Sequence, residues 1–159
     1  TNTYGNGSNF SIKFAQRLGV NYPKSNKTHI TIFYRDFSGK YQCIESISEG
    51  IRVITLEEAI SQKDEVLMRE YKCANEMQCK ILNEYLDSIV RLDKEKGIEY
   101  DFAHDLEDKT KLDCAEALYH TFKHKDLVDL YPVIRFGKKT FTPQDFEFSE
   151  KFKTVYDSI

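Results

Sequence analysis

The sequence lacks the features that identify several common classes of protein. Its four cysteines include no C-x-x-C pair, which argues against a zinc ribbon. No apolar run is long enough to cross a bilayer, and neither an internal repeat nor a low-complexity segment is present. Neither sign of charge is in large excess, because the net charge is only −3. We therefore expect no nucleic-acid partner and no strong attraction to an anionic membrane.

The composition that remains is that of an ordinary soluble globular protein. Hydrophobic residues make up 40% and charged residues 31% of the 159 residues, so we expect a single domain with its own core over 1–159. Residues 1–8 are polar and glycine-rich and do not resemble a signal peptide. The chain starts with Thr1 rather than methionine, so we expect that a segment upstream of it has been removed. These observations leave the compartment and the oligomeric state open.

Strand and helix signals are mixed along the chain without a regular alternation. β-branched and aromatic residues predict three strands over 29–34, 41–46 and 51–54. Short turns at Phe37-Ser38-Gly39 and Glu49-Gly50 would join them into an antiparallel meander. The other predicted elements are helices over 10–18, 56–60 and 74–96, strands over 65–71 and 132–136, and a capped helical turn over 142–146. This mixture predicts an α+β fold, with helices packed on one side of an antiparallel sheet.

Cys114 is the strongest candidate for chemistry because it stands at the start of a predicted amphipathic helix over 112–122. A thiol there faces unpaired backbone N–H groups and the positive end of the helix dipole, and both favour the thiolate. A helical wheel places Cys114 near the edge of the buried stripe, where it can meet both core and solvent. The alternative is a small apolar residue that fills the core, as most free cysteines do. We expect Cys73 and Cys79 to be free, partly buried thiols, although a disulfide between them is the other reading of the pair.

His29 and Glu45 are predicted to lie close together on the meander. Strand alternation puts His29 and Thr31 on one face, and a three-residue hairpin loop with Gly39 in the left-handed position sets Thr31 opposite Glu45. Glu45 then lies diagonally across from His29 and can hold one imidazole nitrogen while the other faces a thiol. That is the nucleophile, base and orienter arrangement of acyl transfer. A register slip of one residue would instead leave Glu45 solvated, and a lone histidine at a strand edge is usually a surface residue.

Six stretches of the sequence, in this order, resemble the YiiX-like branch of the NlpC-type papain-like cysteine hydrolases. They are THITIF (28–33), CIES (43–46), GIRVITLEEAI (50–60), GIEYDF (97–102), DCAEALY (113–119) and TPQDF (142–146). The similarity runs from about residue 10 to the end of the chain. Each motif is short, and the ordered combination carries the resemblance.

The resemblance implies a circularly permuted papain-like fold in which the catalytic histidine precedes the cysteine. It implies Cys114 as nucleophile, His29 as base and Glu45 as the third polar residue, with no cofactor and no metal. Tyr100 matches the tyrosine of the family's Y-D-F segment and would donate to the oxyanion, although a packing aromatic is the simpler reading. The family includes peptidoglycan peptide hydrolases, small amidases and lipid acyltransferases, so the implied reaction is hydrolysis of an amide or ester, or acyl transfer.

Three departures from the family pattern bear on this expectation. Ala115 follows the cysteine where the family usually has serine, and Thr31 stands where glycine is frequent. Both changes would alter the pocket. The opening G-D-I/V strand of the family is missing, which indicates truncation or processing. The three proposed catalytic residues are present in spite of these differences.

Other histidines are weaker candidates. His120 and His124 have the i, i+4 spacing of a metal pair, but the wheel puts both on the face away from the buried stripe, so we expect a solvated helix face. His104 is expected to be a loop residue that could line the pocket. The run over 105–111 carries charges of both signs and is expected to be an exposed loop.

The leading functional expectation is a thiol hydrolase that cleaves an amide bond in a peptide or an amino-acid amide. The first alternative is an acyltransferase or lipid-ester hydrolase on the same scaffold, because a thioester can pass its acyl group to either acceptor. The second alternative is a non-catalytic binding module, supported by Ala115 and the missing strand. An apolar groove beside Cys114 would favour a lipid substrate, and a narrow acidic or polar pocket would favour an amino-acid amide.

Overall fold

The computed structural model describes residues 28–61, 63 and 65–158. The helix predicted over 10–18 lies outside these residues. Within them the protein is mixed α/β, with helices and three small antiparallel sheets, which is compatible with the predicted α+β class. No helix in the described part of the chain combines the length and apolar character that a membrane span requires.

The secondary-structure elements have the following bounds. The strands are β1 (Ile32–Arg35), β2 (Tyr41–Ile47), β3 (Gly50–Ile54), β4 (Leu67–Glu70), β5 (Val133–Arg135), β6 (Lys138–Thr140) and β7 (Lys153–Asp157). The α-helices are α1 (Leu56–Ser61), α2 (Glu76–Lys96), α3 (Cys114–Lys123) and α4 (Pro143–Glu147), and a 3₁₀ turn covers His124–Asp126. The sheets have the strand orders β1-β2-β3, β4-β7 and β5-β6.

The predicted meander and its register are confirmed. Strand β1 pairs antiparallel with β2, with Ile32 opposite Ile44 and Phe33 opposite Cys43; this register, continued by one residue, sets Thr31 beside Glu45. Gly39 has a φ of 84° in the connecting turn, a backbone conformation that glycine adopts without steric cost. The prediction that His29 opens the strand is wrong, because backbone pairing with β2 begins only at Ile32.

The core forms where α2 and α3 pack under the sheet. Leu82 of α2 belongs to the same buried cluster as Leu118 and Phe122 of α3, and Leu86 packs with Ile44 of β2. The apolar stripe of the helix predicted over 74–96 therefore faces the core in its middle turns. Its N-terminal member is an exception, because Met77 is 62% exposed.

The two smaller sheets show what local sequence signals miss. Strand β7 is exposed at every position, so it has no apolar alternation that would mark it as a strand. It forms because it pairs with β4, from Leu67 opposite Asp157 to Glu70 opposite Lys153. Strand β6 was likewise not predicted. It forms because it pairs with β5 across the turn at Gly137. In both cases the partner strand decides the structure.

Cys73 and Cys79 form a disulfide, so the expectation of two free thiols is wrong. Cys73 lies between the end of β4 and the start of α2, and Cys79 lies in the first turns of that helix. The helix start brings their Cα atoms to 5.5 Å, inside the range that a disulfide spans. Composition alone could not predict this approach. Cys43 and Cys114 are free and buried.

A labelling experiment tests the disulfide. Iodoacetamide added to the denatured, unreduced protein is expected to modify Cys43 and Cys114 only, because the other two sulfurs are bonded to each other. Reduction before alkylation should add two further labels on the peptides that contain Cys73 and Cys79. Peptide mass spectrometry reads both outcomes, and full labelling of all four cysteines without reductant would contradict the disulfide.

A buried ion pair fixes the C-terminal part of the fold. The guanidinium of Arg135 on β5 donates from Nη1 and Nη2 to the two carboxylate oxygens of Asp145 on α4, at 2.9 Å each. Asp145 also accepts from the backbone N–H and hydroxyl of Thr142, which caps α4. The Arg135 side chain is fully buried. This pair joins the β5-β6 hairpin to α4.

Replacing Arg135→Met is expected to lower the free energy of unfolding by about 3–5 kcal/mol, because the Asp145 carboxylate stays buried without its partner. Urea denaturation followed by circular dichroism measures the change. Lys139→Met is the matched control, since Lys139 pairs with Glu107 on the surface and such pairs contribute little. Combining Arg135→Met with Asp145→Asn should recover part of the loss. An unchanged midpoint in the single variant would contradict the structural role of the pair.

Candidate active site

Helix α3 begins at Cys114 because the residue before it is a strong N-cap. The carboxylate oxygen Oδ1 of Asp113 accepts from the N–H groups of Ala115 and Glu116, both at 2.7 Å. Glu116 returns a bond from its side chain, as Oε2 accepts the N–H of Asp113 at 2.8 Å. These reciprocal bonds form a capping box and stop the helix from extending backwards. The predicted placement of Cys114 at a helix start is confirmed.

The thiol of Cys114 is more deeply buried than the sequence predicts. It is 1% exposed and lies in the main core cluster, so the expected position between core and solvent is wrong. Burial, followed by the charge of Asp113, raises the pKa of the thiol above its usual range. Backbone N–H groups of Ile30, Cys114 and Ala115 act on the sulfur in the opposite sense. The expected lowering of this pKa by the helix start is therefore outweighed.

His29 and Glu45 meet as the strand register predicts. His29 Nε2 lies 2.6 Å from Glu45 Oε2, and the hydroxyl of Thr31 donates to the same oxygen at 3.3 Å. The other oxygen, Oε1, accepts from Arg52 Nε at 2.6 Å. The side chain of Glu45 has no exposed surface, so the alternative of a solvated strand carboxylate is wrong.

The environment of Glu45 keeps it ionised. Burial alone would raise the pKa of its carboxyl, but the hydrogen bonds and electrostatic interactions with His29 and Arg52 outweigh burial and lower that pKa to about 2. A permanently charged carboxylate that holds one imidazole nitrogen fixes the tautomer and the orientation of the ring.

Ile30, the residue that follows His29, packs in the same part of the core as Cys114. The N–H of Ile30 acts on the sulfur of Cys114. Half-buried Lys63 is electrostatically coupled to both Glu45 and Cys114. Ile30 and Lys63 are therefore the residues that connect the Glu45 side of the structure with Cys114.

Tyr100 is buried close to the same thiol. Its ring centroid lies 4.8 Å from that of Phe102, as expected for a packing aromatic. Burial, followed by the negative groups at Cys114 and Asp113, raises the pKa of the phenol far above its usual value. The hydroxyl of Tyr100 is consequently neutral and able to donate a hydrogen bond, which is what a role at an oxyanion would require.

A groove of about 1000 Å³ opens beside His29. His29 and Lys63 lie on its wall, while most of the remaining wall is apolar, formed in part by Ile32, Leu82, Leu86, Phe122 and Phe152. Cys114 is not among the described residues that line the groove, whereas Ile30 and Leu118 of its buried cluster are. The groove is largely apolar, but it is lined by His29 and not by Cys114, so the choice between a lipid and an amino-acid amide stays a prediction.

His104 is the residue that sequence reasoning missed. It was expected to be a loop residue, yet it is buried and its Nδ1 lies 2.5 Å from Asp113 Oδ2. One signal in the sequence points to such a partner: an N-cap aspartate uses one oxygen for the helix, and a buried second oxygen needs a donor.

His120 and His124 are both half-buried, so the expectation of a solvated helix face is wrong. The ring centroid of His124 lies 4.4 Å from that of Tyr85 in a stacked arrangement. Residues 28–61, 63 and 65–158 contain no group of three side chains that could hold a metal ion.

The depressed pKa of Glu45 predicts a pH dependence of stability. The folded-state pKa of about 2 lies below the unfolded value of about 4.3, so ionised Glu45 contributes stability above the unfolded pKa. That contribution is lost as the pH falls from about 4.3 toward 2. Unfolding free energies of wild type and Glu45→Gln, measured between pH 7 and pH 2, should converge over this interval. A constant difference across it would contradict the assignment.

The chain matches no protein-family model, no curated protein and no solved structure. No activity is therefore transferred to it from a relative.

Proposed function

We propose that the protein is a thiol hydrolase that cleaves an amide bond through an acyl-enzyme on Cys114. The observation that carries the proposal is the contact of His29 Nε2 with the buried Glu45 carboxylate at 2.6 Å, in a segment whose next residue, Ile30, shares a buried cluster with Cys114. In this proposal the fold is the circularly permuted papain-like one that the motifs resemble. Support comes from the order of the elements, in which the histidine precedes a meander and the cysteine begins a later helix.

The proposed reaction uses each group for one task. With Nε2 held by Glu45, His29 takes the thiol proton through Nδ1 as the sulfur attacks the substrate carbonyl. The N–H at the start of α3, with the neutral phenol of Tyr100, stabilises the negative oxygen of the tetrahedral intermediate. His29 then gives the proton to the leaving amine, the C–N bond breaks, and a thioester remains. Water, deprotonated by His29, hydrolyses the thioester and restores the thiol.

The raised pKa of Cys114 decides the order of these events. A thiol whose pKa lies above its usual range is protonated at neutral pH, so the nucleophile in this scheme is made by proton transfer to His29 during attack rather than stored as a thiolate. The substrate must also reach the sulfur past the groove wall. Binding in the groove would therefore expose the sulfur as well as orient the carbonyl.

The apolar groove favours a second candidate, a lipid-ester hydrolase or acyltransferase on the same scaffold. Its wall of aliphatic and aromatic side chains beside His29 would bury an acyl chain at a gain of about 0.8 kcal/mol per CH₂ group. The covalent step is unchanged, since an ester forms the same thioester and an alcohol or amine can replace water as acceptor. A short-chain amide would leave much of this surface unused.

Mass spectrometry of the intact protein tests the proposal. After exposure to a library of amides and esters, wild type is expected to carry an acyl adduct on Cys114, whereas Cys114→Ala should carry none. His29→Gln should slow adduct formation by about 100-fold or more, because the base is lost. Cys43→Ala is the matched control, since Cys43 is also buried and free but has no role in the scheme.

The outcomes separate the candidates. Adducts that form faster as the acyl chain lengthens favour the lipid candidate, and adducts from short amides favour the peptide or amino-acid amide. A Cys114→Ala variant that still turns over the wild-type substrate would end both. If iodoacetamide labels Cys114 slowly and no adduct forms with any substrate, the chain is a binding module instead.

A further inference from the structure

Asp113 joins the helix start to a second histidine. Its oxygen Oδ1 is occupied by the two N–H groups of the capping box, and its oxygen Oδ2 by His104 Nδ1 at 2.5 Å. Both side chains are buried, with 7% of His104 and 2% of Asp113 exposed. The carboxylate adjacent to Cys114 is thus bonded on both sides, and the reaction proposed above uses neither residue.

The charge on Asp113 acts directly on the thiol, because Asp113 follows burial as the largest cause of the raised pKa of Cys114. The other groups around the two residues add little positive charge. In the described part of the chain, the titratable side chains that act on Asp113 or Cys114 are Tyr100 and His104 before α3, Glu116 and His120 on α3, and Lys63 on the groove side. Of these, His104 contacts the carboxylate of Asp113 itself.

Glu116 places a second buried carboxyl group next to Asp113. It is fully buried, and burial, followed by the charge of Asp113, raises the pKa of its carboxyl. Asp101 lies near it and accepts backbone N–H groups of Ala103 and Asp105 at 2.7 Å each. Three carboxyl groups are therefore packed beneath the nucleophile, where an offsetting donor has a large effect.

The backbone of His104 indicates that this contact is specifically built. Its φ is 52°, in the left-handed region that non-glycine residues seldom occupy. Such conformations persist only where surrounding interactions hold them, and they concentrate at functional sites. The bond to Asp113 is the interaction that would hold His104 in place.

We propose that His104 is a positioning residue for Cys114, which acts through Asp113 to offset the negative charge beside the thiol and to keep the cap of α3 in place. His104 does not touch the substrate in this scheme. The inference deepens the proposed function, since its consequence for catalysis rests on Cys114 being the nucleophile. Its chemical content, control of thiolate formation, can be measured without any substrate.

The test uses His104→Asn and Asp113→Asn in the full chain. Asparagine tolerates the left-handed backbone at 104, and its shorter side chain removes the imidazole from Asp113 Oδ2. At 113 asparagine keeps the N-cap and removes the charge. The readout is the ultraviolet absorbance of the thiolate as a function of pH, taken as the difference from Cys114→Ser, together with the rate of iodoacetamide labelling of Cys114. His124→Asn is the matched control, because His124 stacks on Tyr85 and not on Asp113.

His104→Asn is expected to raise the midpoint of thiolate formation by about one pH unit and to slow labelling roughly three- to tenfold at neutral pH. Asp113→Asn should shift both in the opposite direction, and His104→Asn should have no further effect in that background. A midpoint in His104→Asn that is unchanged or lowered would overturn the proposal, as would an equal shift in the control. So would a wild type that forms no thiolate on Cys114 below the pH of unfolding.

These outcomes are distinguishable from a failure of the proposed function. If no substrate yields an acyl adduct but the three variants shift the thiolate as stated, the hydrolase is wrong and the role of His104 stands. If adducts form and the shifts are absent, the hydrolase stands and His104 only packs beneath the helix. Circular dichroism of each variant confirms that the fold is kept.

Discussion

One buried carboxylate, that of Asp113, links the start of a helix, the thiol of Cys114 and the neighbouring carboxyl group of Glu116. Oδ1 of this carboxylate satisfies two N–H groups that would otherwise be unpaired, and this fixes Cys114 as the first residue of α3. The same charge opposes ionisation of the thiol. A helix start whose N–H groups are bonded to a carboxylate therefore favours a thiolate less than one whose N–H groups are unpaired. The cap strengthens the fold and weakens the effect of the helix dipole on the sulfur.

Three buried carboxylates of the described chain are each bonded to an imidazole or a guanidinium group. Glu45 is bonded to His29 and Arg52, Asp113 to His104, and Asp145 to Arg135. Removing a charge from water is costly unless a partner and further hydrogen bonds replace the lost hydration. Asp113 is adjacent to Cys114 in the chain, Glu45 holds the imidazole of His29, and the third pair holds the C-terminal hairpin to α4. The first two serve the proposed chemistry, and the third is structural.

Local patterns predicted the parts of the site that depend on local geometry. The hairpin at Gly39 set the strand register, and the register placed Glu45 within reach of His29 because side chains alternate along paired strands. The long helix α2 and the placement of Cys114 at a helix start were also predicted. The disulfide, strand β7 and the contact of His104 with Asp113 were not, since each depends on an approach between segments that no local signal encodes.

The sequence by itself determined which chemical groups are present and which local elements carry them: a cysteine at a helix start, and a histidine and a glutamate on neighbouring positions of a meander. Only the tertiary structure decided the state of those groups. Packing buried the sulfur and put Asp113 beside it, which raised the pKa of the thiol, while His29 and Arg52 lowered that of Glu45. The reason is physical: ionisation depends on solvent exposure and on charges within a few ångströms, and both are set by how distant segments pack.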